Sequence, residues 1–125
     1  MEFMMMIKGD SNYEAGVPPD PRLMAAIGKH TEDMVKAGVV VATAGLEPSS
    51  KGAILRAGRG TVRVIDGPFA EAKELVGGFA IIRAASKQEA IRLGTEFLAL
   101  HQQVLGPDWE GECEVRQVSG YSPRS

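Results

Sequence analysis

Apolar and polar positions alternate along the chain in short stretches that predict both strands and helices. The run Glu2–Lys8 is apolar on both faces, with Phe3, Met5 and Ile7 on one side of the backbone and two methionines on the other. Such a strand is typical of the middle of a sheet that is covered on both sides. Further strands are predicted at 39–44, 79–84 and 112–118, and a β-hairpin at 52–57 and 61–65.

The first stretch with helical spacing is 21–37. Asp20 is a good N-cap, Pro21 fits the first helical position, and Gly38 is expected just after the end of the helix. The inner stripe of this helix contains a histidine among apolar residues: Leu23, Ile27, His30, Met34 and Ala37.

The second predicted helix is 87–103, with Ser86 as N-cap and Glu89 at the capping-box position. Gly106-Pro107 stops it. Its inner face also contains one histidine: Ala90, Gly94, Phe97 and His101, flanked by Ile91 and Leu98.

Without the hairpin, the predicted order is strand, helix, strand, strand, helix, strand. This is the βαββαβ order of a ferredoxin-like α+β fold, here with an inserted β-hairpin. Two helices cover only one face of such a sheet, yet the strands are apolar on both faces. Because an exposed apolar sheet is unusual for a soluble monomer, the pattern predicts a homodimer with sheet packed against sheet.

The stretch 61–79 is the most distinctive part of the sequence. Asp66-Gly67-Pro68 ends one strand, and one or two helical turns are expected at 70–75. Gly77-Gly78 is expected to break those turns before the next strand begins at Phe79. Gly67 is expected to adopt a backbone conformation that a Cβ atom would oppose.

The motif Asp66-Gly67-Pro68-Phe69 resembles the DGPF group of the YCII-related family. The likeness extends over nearly the whole chain, through Met4-Met5-Met6-Ile7, Tyr13-Glu14-Ala15-Gly16, Pro48-Ser49-Ser50-Lys51-Gly52, Ala70-Glu71-Ala72-Lys73-Glu74, Gly77-Gly78 and Ser86-Lys87-Gln88-Glu89-Ala90. The resemblance implies a dimeric α+β barrel and leaves the biochemical function open.

Three functions remain open at this point. The first is a small dimeric enzyme or ligand-binding protein for an unknown small molecule, with a pocket between the first helix and the DGPF loop. The second is a non-catalytic regulatory partner, since members of this group resemble products often encoded beside extracytoplasmic-function sigma factors. The third is a structural dimer whose motif only holds the fold.

The composition of the chain limits the possible classes of function, partner and cofactor. A chain of 125 residues is long enough for a single domain, 1–125, with a loose tail from about 119. The formal net charge of −2 gives no basic excess for nucleic acid or an anionic membrane. The N-terminus lacks a basic leader, so a first strand and a cytoplasmic location are expected. One cysteine, Cys113, and two separated histidines form no metal motif, and no cofactor is expected.

His30, His101 and Asp66 are the candidate chemical groups. Each histidine is either a buried residue satisfied by one hydrogen bond or a general acid or base. Asp66 either locks the turn through backbone N–H groups or belongs to a site. The wider family is associated with a His–Asp pair proposed as catalytic. We therefore take Asp66, as part of the motif, and His30, in the first helix, as the candidate catalytic pair and expect them to share one pocket.

The loop 9–19 is longer than most connections between a strand and a helix, and it is interpreted either as a capped linker or as the rim of the pocket. Lys73 either contacts an anionic ligand or forms solvated ion pairs with neighbouring glutamates. The candidate ligand-binding residues are Asp10, Tyr13, Glu14, Gly67, Pro68, Phe69 and Lys73.

Overall fold

The computed structural model describes residues 1–70 and 74–120. The elements in this part of the chain are β1 (Glu2–Lys8), α1 (Ser11–Glu14), α2 (Pro21–Lys36), β2 (Val40–Gly45), a 3₁₀ turn (Ser49–Lys51), β3 (Ala53–Gly58), β4 (Thr61–Asp66), β5 (Val76–Arg83), α3 (Lys87–Leu105) and β6 (Cys113–Gln117). The helical turns expected at 70–75 fall partly outside the described residues, and so does the end of the tail at 121–125.

The main sheet is antiparallel and has the strand order β2-β5-β1-β6. With the β3–β4 hairpin set aside, this is the order of a ferredoxin-like fold, so the predicted α+β class is confirmed. The short helix α1 within the loop after β1 was not predicted. None of the helices in the described part of the chain has the length and apolar character needed to cross a bilayer.

The two central strands owe their position to their two-sided apolar pattern. β1 pairs with β5 on one side and with β6 on the other, so that Met5 lies between Ala80 and Val115. Phe3 and Ile82 face each other across β1 and β5 and are only 2% and 1% exposed. This pair anchors the core, which continues onto α3; its buried members are Phe3, Met5, Ile82, Ala84, Ala90 and Leu93.

The ends of the helices follow the predicted signals. The Asp20 carboxylate accepts a hydrogen bond from Arg22 N at 2.8 Å, and Gly38 follows α2 with a φ of 75°. Ser86 Oγ accepts from Glu89 N at 3.1 Å at the start of α3. On α3 the predicted inner face is partly wrong, because Ile91 is exposed whereas Leu93, which the pattern missed, is buried.

The strand β5 begins three residues earlier than predicted, and Gly77 and Gly78 lie within it. The two glycines do not break the chain here; they allow neighbouring strands to approach closely. A Cβ atom on Gly77 would lie 3.3 Å from Gly9 Cα, and one on Gly78 would lie 3.2 Å from the Ala44 carbonyl oxygen. The prediction failed because glycine also marks close backbone packing.

Both long helices pack on the face of the sheet that carries Phe3 and Ile82. By strand alternation, the opposite face carries apolar side chains of β1 and β5: Met4, Met6, Phe79 and Ile81.

The hairpin β3–β4 forms a separate two-stranded sheet, which we call the arm (residues 53–66). Leu55 pairs with Val64 and Ala57 pairs with Val62, so these side chains share one face of the arm. Leu55, Val62 and Val64 are 68%, 64% and 63% exposed. The arm therefore presents an apolar face to solvent.

Cys113 packs at the edge of the core, and burial raises the pKa of its thiol. Because the thiolate is the reactive form, we expect the folded protein to react more slowly with a disulfide reagent at about pH 8 than the protein in concentrated urea. The unfolded chain loses the thiol proton at a lower pH than the folded chain does. The stability contributed by the protonated thiol should therefore be lost as pH rises, and Cys113→Ala should remove that part of the pH dependence. Equal rates of reaction of Cys113 with the disulfide reagent in the folded and unfolded protein would show that the thiol is not buried.

Candidate functional site

A cavity of about 580 Å³ lies between the two long helices and the sheet. On α2 only Leu23 is fully buried, while Ile27, His30 and Met34 are half-buried and line the cavity. Four of the five residues of the predicted inner stripe therefore face an open space as well as the sheet, whereas Ala37 follows the helix and is exposed. The loop 9–19 lies at one edge of this cavity and contributes Asp10 and Tyr13.

A row of aromatic side chains crosses one side of this cavity. The ring centroids of His30 and Phe97 are 6.2 Å apart, and those of Phe97 and His101 are 4.8 Å apart in an edge-to-face arrangement. The His101 ring stacks on Trp109, with 4.6 Å between centroids and 23° between planes. We call His30, Phe97, His101 and Trp109 the aromatic row; all four line the cavity.

Trp109 is held in place by its neighbours. Its backbone N–H donates to Gly106 O at 3.1 Å, which fixes the turn after α3. A Cβ atom on Gly111 would lie only 2.6 Å from Trp109 Cζ2, so the indole ring needs a glycine at that position. The backbone of the loop 106–111 thus holds the indole ring in its stacked position.

His101 is 7% exposed, and its Nδ1 lies 2.9 Å from the carbonyl oxygen of Phe97. A carbonyl oxygen can only accept, so Nδ1 carries the proton in this hydrogen bond. In the neutral ring the other nitrogen, Nε2, is then an acceptor. Among the described residues, Nε2 has no hydrogen-bond partner.

The hydroxyl of Tyr13 is buried and has no hydrogen-bond partner within the described part of the chain. Burial, with smaller effects of Glu47 and Glu14, raises the pKa of Tyr13. The hydroxyl therefore keeps its proton at neutral pH and can donate as well as accept. A buried polar group without a partner is costly, so this hydroxyl reduces the stability of the fold.

The charged residues that line the cavity already have partners. Lys8 Nζ lies 3.6 Å from Glu114 Oε1, and the Asp10 carboxylate accepts from Tyr13 N at 2.8 Å. Asp20 pairs with Arg22, whose hydrogen bond holds the pKa of that carboxyl below its usual value. The rest of the cavity wall is largely apolar.

A second group of contacts joins three segments that are far apart in sequence. Ser49 N and Oγ both donate to the Glu14 carboxylate, the former at 2.9 Å. Ser49 Oγ in turn accepts from Phe69 N at 2.9 Å. We call Glu14, Ser49 and Phe69 the motif junction, because each belongs to one of the segments that carry the family resemblance. The junction borders a smaller cavity of about 410 Å³.

The Gly67 backbone lies directly against Ser49. A Cβ atom on Gly67 would overlap the Ser49 carbonyl oxygen and lie 2.5 Å from the Ser49 carbonyl carbon. Gly67 N donates to Gly52 O at 3.0 Å, and the peptide bond from Gly67 to Pro68 is cis. The expected reason for this glycine is therefore wrong: Gly67 is not among the left-handed glycines, and close packing requires it.

The structure does not bring His30 and Asp66 into one pocket. His30 lines the large cavity, whereas Asp66 ends β4, pairs with Ala53 and is exposed. Among the described residues, Asp66 lines neither cavity. The error arose because the pocket was placed between α2 and the DGPF loop, but that loop packs against Ser49 beside the smaller cavity. A catalytic role for either residue stays a prediction.

The predicted ligand-binding residues divide between the two cavities. Asp10 and Tyr13 line the large one, and Glu14 and Phe69 line the small one. Gly67 and Pro68 form the adjoining turn, and Lys73 lies outside the described residues. Sequence reasoning missed Ser49 and Trp109 as site residues; the only sequence signals were a serine within a shared motif and a sole tryptophan.

Residues 1–97 match the model of the YCII-related domain. The chain belongs to the YCII-related family. It is also 34% identical, over 104 residues, to the uncharacterized protein R00369 of Rhizobium meliloti (strain 1021), an alignment that covers 83% of this chain and 79% of the relative.

The part of the chain that matches the YCII-related domain includes the motif junction and ends at Phe97. Two members of the aromatic row, His101 and Trp109, lie beyond it. Within the described residues, no three His, Cys, Asp or Glu side chains are grouped in a way that would hold a metal ion.

Removal of the Ser49 hydroxyl should destabilise this YCII-related protein. Ser49→Ala removes the hydroxyl contacts to Glu14 and to Phe69 N, and we expect the free energy of unfolding to fall by about 1–3 kcal/mol. Ser50→Ala, at an exposed neighbouring position, is the matched control and should change it by less than about 0.5 kcal/mol. Gly67→Ala should also destabilise, through the overlap with Ser49. Urea unfolding measures all three; equal midpoints for Ser49→Ala and Ser50→Ala would show that the junction is not stabilising.

Proposed function

We propose that this YCII-related protein binds a small molecule in the large cavity between α2, α3 and the sheet. The observation that carries the proposal is the cavity itself. Its volume of about 580 Å³ falls within the usual range of ligand pockets, roughly 300–1,000 Å³. An apolar pocket with a few convergent polar groups is the usual form of a ligand site, and here Asp10 and His101 provide such groups.

The motif junction supports this function indirectly. Glu14 follows Tyr13 directly, so its hydrogen bonds to Ser49 hold the rim of the large cavity against the DGPF turn. We propose that the protein falls in the DGPF group on the basis of this motif. In this proposal Asp66 has a structural role in the turn. His30 is the candidate for any acid–base step on a bound ligand, because it lines the cavity.

The ligand proposal is tested with a fragment library of neutral, anionic and cationic aromatic compounds, measured by thermal shift. A compound present at about 100 times its Kd should stabilise the fold by about 2.7 kcal/mol. Ile27→Trp fills the cavity from α2 and should weaken binding of the hits at least about tenfold, which calorimetry measures. Val35→Trp, on the exposed side of the same helix, is the control and should bind normally.

Two outcomes would count against the proposal. A library without hits would leave the regulatory role beside an extracytoplasmic-function sigma factor as the better candidate, and co-purification with that factor would test it. Hits that bind equally well to Ile27→Trp would place the ligand elsewhere.

We further propose that the protein is a homodimer and that the arm contributes to the contact. The arm presents Leu55, Val62 and Val64 to solvent. It also carries three arginines, Arg56, Arg59 and Arg63, against one acidic residue, Asp66, whereas the other fifteen acidic residues lie outside it. A basic arm with an apolar face is therefore complementary to the acidic body of a second copy. The apolar sheet face opposite the helices supports the same assembly.

Sedimentation at micromolar concentration should show twice the chain mass, because a stable interface of at least about 1,000 Å² is expected. The double variant Leu55→Glu/Val64→Glu places two charges on the apolar face of the arm and should shift the protein to the monomer mass. Val35→Glu makes the same type of change on the exposed side of α2 and should leave the dimer intact. A wild-type monomer with no concentration dependence would refute the dimer, and a dimer that survives the double variant would exclude the arm.

A further inference from the structure

We propose that the ligand of the large cavity is a planar aromatic molecule without a negative charge that donates a hydrogen bond to His101 Nε2. This inference rests on the proposed function and specifies its ligand class. Four features of the cavity lead to it: the aromatic row, the fixed tautomer of His101, the position of polar groups at one end, and the pairing of the lining cation Lys8 with Glu114.

The aromatic row favours a flat ligand. Phe97 meets the His101 ring edge to face, while Trp109 stacks on it, and both distances are typical of favourable aromatic pairs. A planar molecule can extend such a row by stacking or by an edge contact, at little cost in conformational entropy. Phe97 and His101 come from α3 and His30 from α2, so the row gives such a ligand contacts with both helices.

The His101 tautomer selects for a hydrogen-bond donor. The Phe97 carbonyl oxygen fixes the proton on Nδ1, so Nε2 offers a lone pair. A ligand that offers an O–H or N–H group satisfies this lone pair, whereas one that offers only an acceptor leaves it unpaired. A site with a buried unpaired polar group discriminates against the ligand that cannot complete the bond.

The polar groups lie toward one end of the cavity. Lys8 N donates to Glu112 O at 3.1 Å, which joins the end of β1 to the segment after Trp109. The loop 9–19 follows that end of β1, so the carboxylate of Asp10 on the rim is a second polar group at the same end of the cavity. The apolar part of the molecule then extends under α2, toward Ile27 and Met34.

Charge selects against an anionic ligand. Lys8, Asp10 and Asp20 line the cavity, and the one cation among them, Lys8, already pairs with Glu114. An anionic ligand would leave water without a free counter-charge from these three side chains, which costs more than the binding of a neutral isostere.

Three naphthalenes of similar size test the proposal: 2-naphthol, 2-methoxynaphthalene and 2-naphthoate. Equilibrium dialysis near neutral pH gives each Kd from the absorbance of the compound. We expect 2-naphthol to bind at least about fivefold more tightly than 2-methoxynaphthalene, which lacks the donor, as one neutral hydrogen bond predicts. The anion 2-naphthoate should bind most weakly.

His101→Phe keeps an aromatic ring beside Trp109 but removes the acceptor. In this variant the affinity for 2-naphthol should fall to that for 2-methoxynaphthalene, and the latter should not change. Gln103→Ala, at an exposed position two residues along α3, is the control and should retain the wild-type preference.

Four results would overturn the ligand class. They are equal binding of 2-naphthol and 2-methoxynaphthalene by the wild type, a preference that persists in His101→Phe, tightest binding of 2-naphthoate, and failure of all three compounds when other library members stabilise the fold. In the last case the proposed binding function stands and only the class is wrong. A library without any hit rejects the function itself. The relative affinities of the three compounds for the wild-type protein test the ligand class even if His101→Phe does not fold.

Discussion

The hydroxyl of Ser49 is the contact on which the candidate site depends most. It connects a carboxylate after β1 with a backbone N–H after β4, two points that are 55 residues apart. The Gly67 backbone presses against the same residue and leaves no room for a side chain. Because Ser49 is 8% exposed, each of these polar groups relies on the others in place of water. The rim of the large cavity is thus fixed by a serine that does not line it.

The sequence was sufficient for the strands and helices whose signals are local. Asp20, Gly38 and Ser86 predicted the helix ends, because capping is decided within one turn. The two-sided apolar pattern of β1 predicted its central place in the sheet. In contrast, Gly77 and Gly78 were interpreted as a break, since their role depends on the distant backbones of Gly9 and Ala44. Close approach between segments leaves no periodic signal in a single sequence.

The candidate site likewise contains residues that the sequence could predict and residues that it could not. His30 and His101 were recognised because each histidine interrupts an apolar helical stripe, and both line the large cavity. Asp66 was joined to His30 because the pocket was expected between α2 and the DGPF loop, but the turn after Asp66 packs on Ser49. Trp109 lies in a loop without periodicity, and only the fold shows that it stacks on His101.

The position of the aromatic row relative to the family match has an evolutionary consequence. The contacts that hold the scaffold lie mainly before Phe97, whereas His101 and Trp109 lie after it, at the end of one helix and in a loop. Substitutions at these two positions can change what the cavity accepts without altering the buried pairs between β1 and β5. Under the proposed ligand-binding function, a lineage that keeps the scaffold can thus diversify its ligand through a short C-terminal segment, so that relatives with the same fold need not share a ligand.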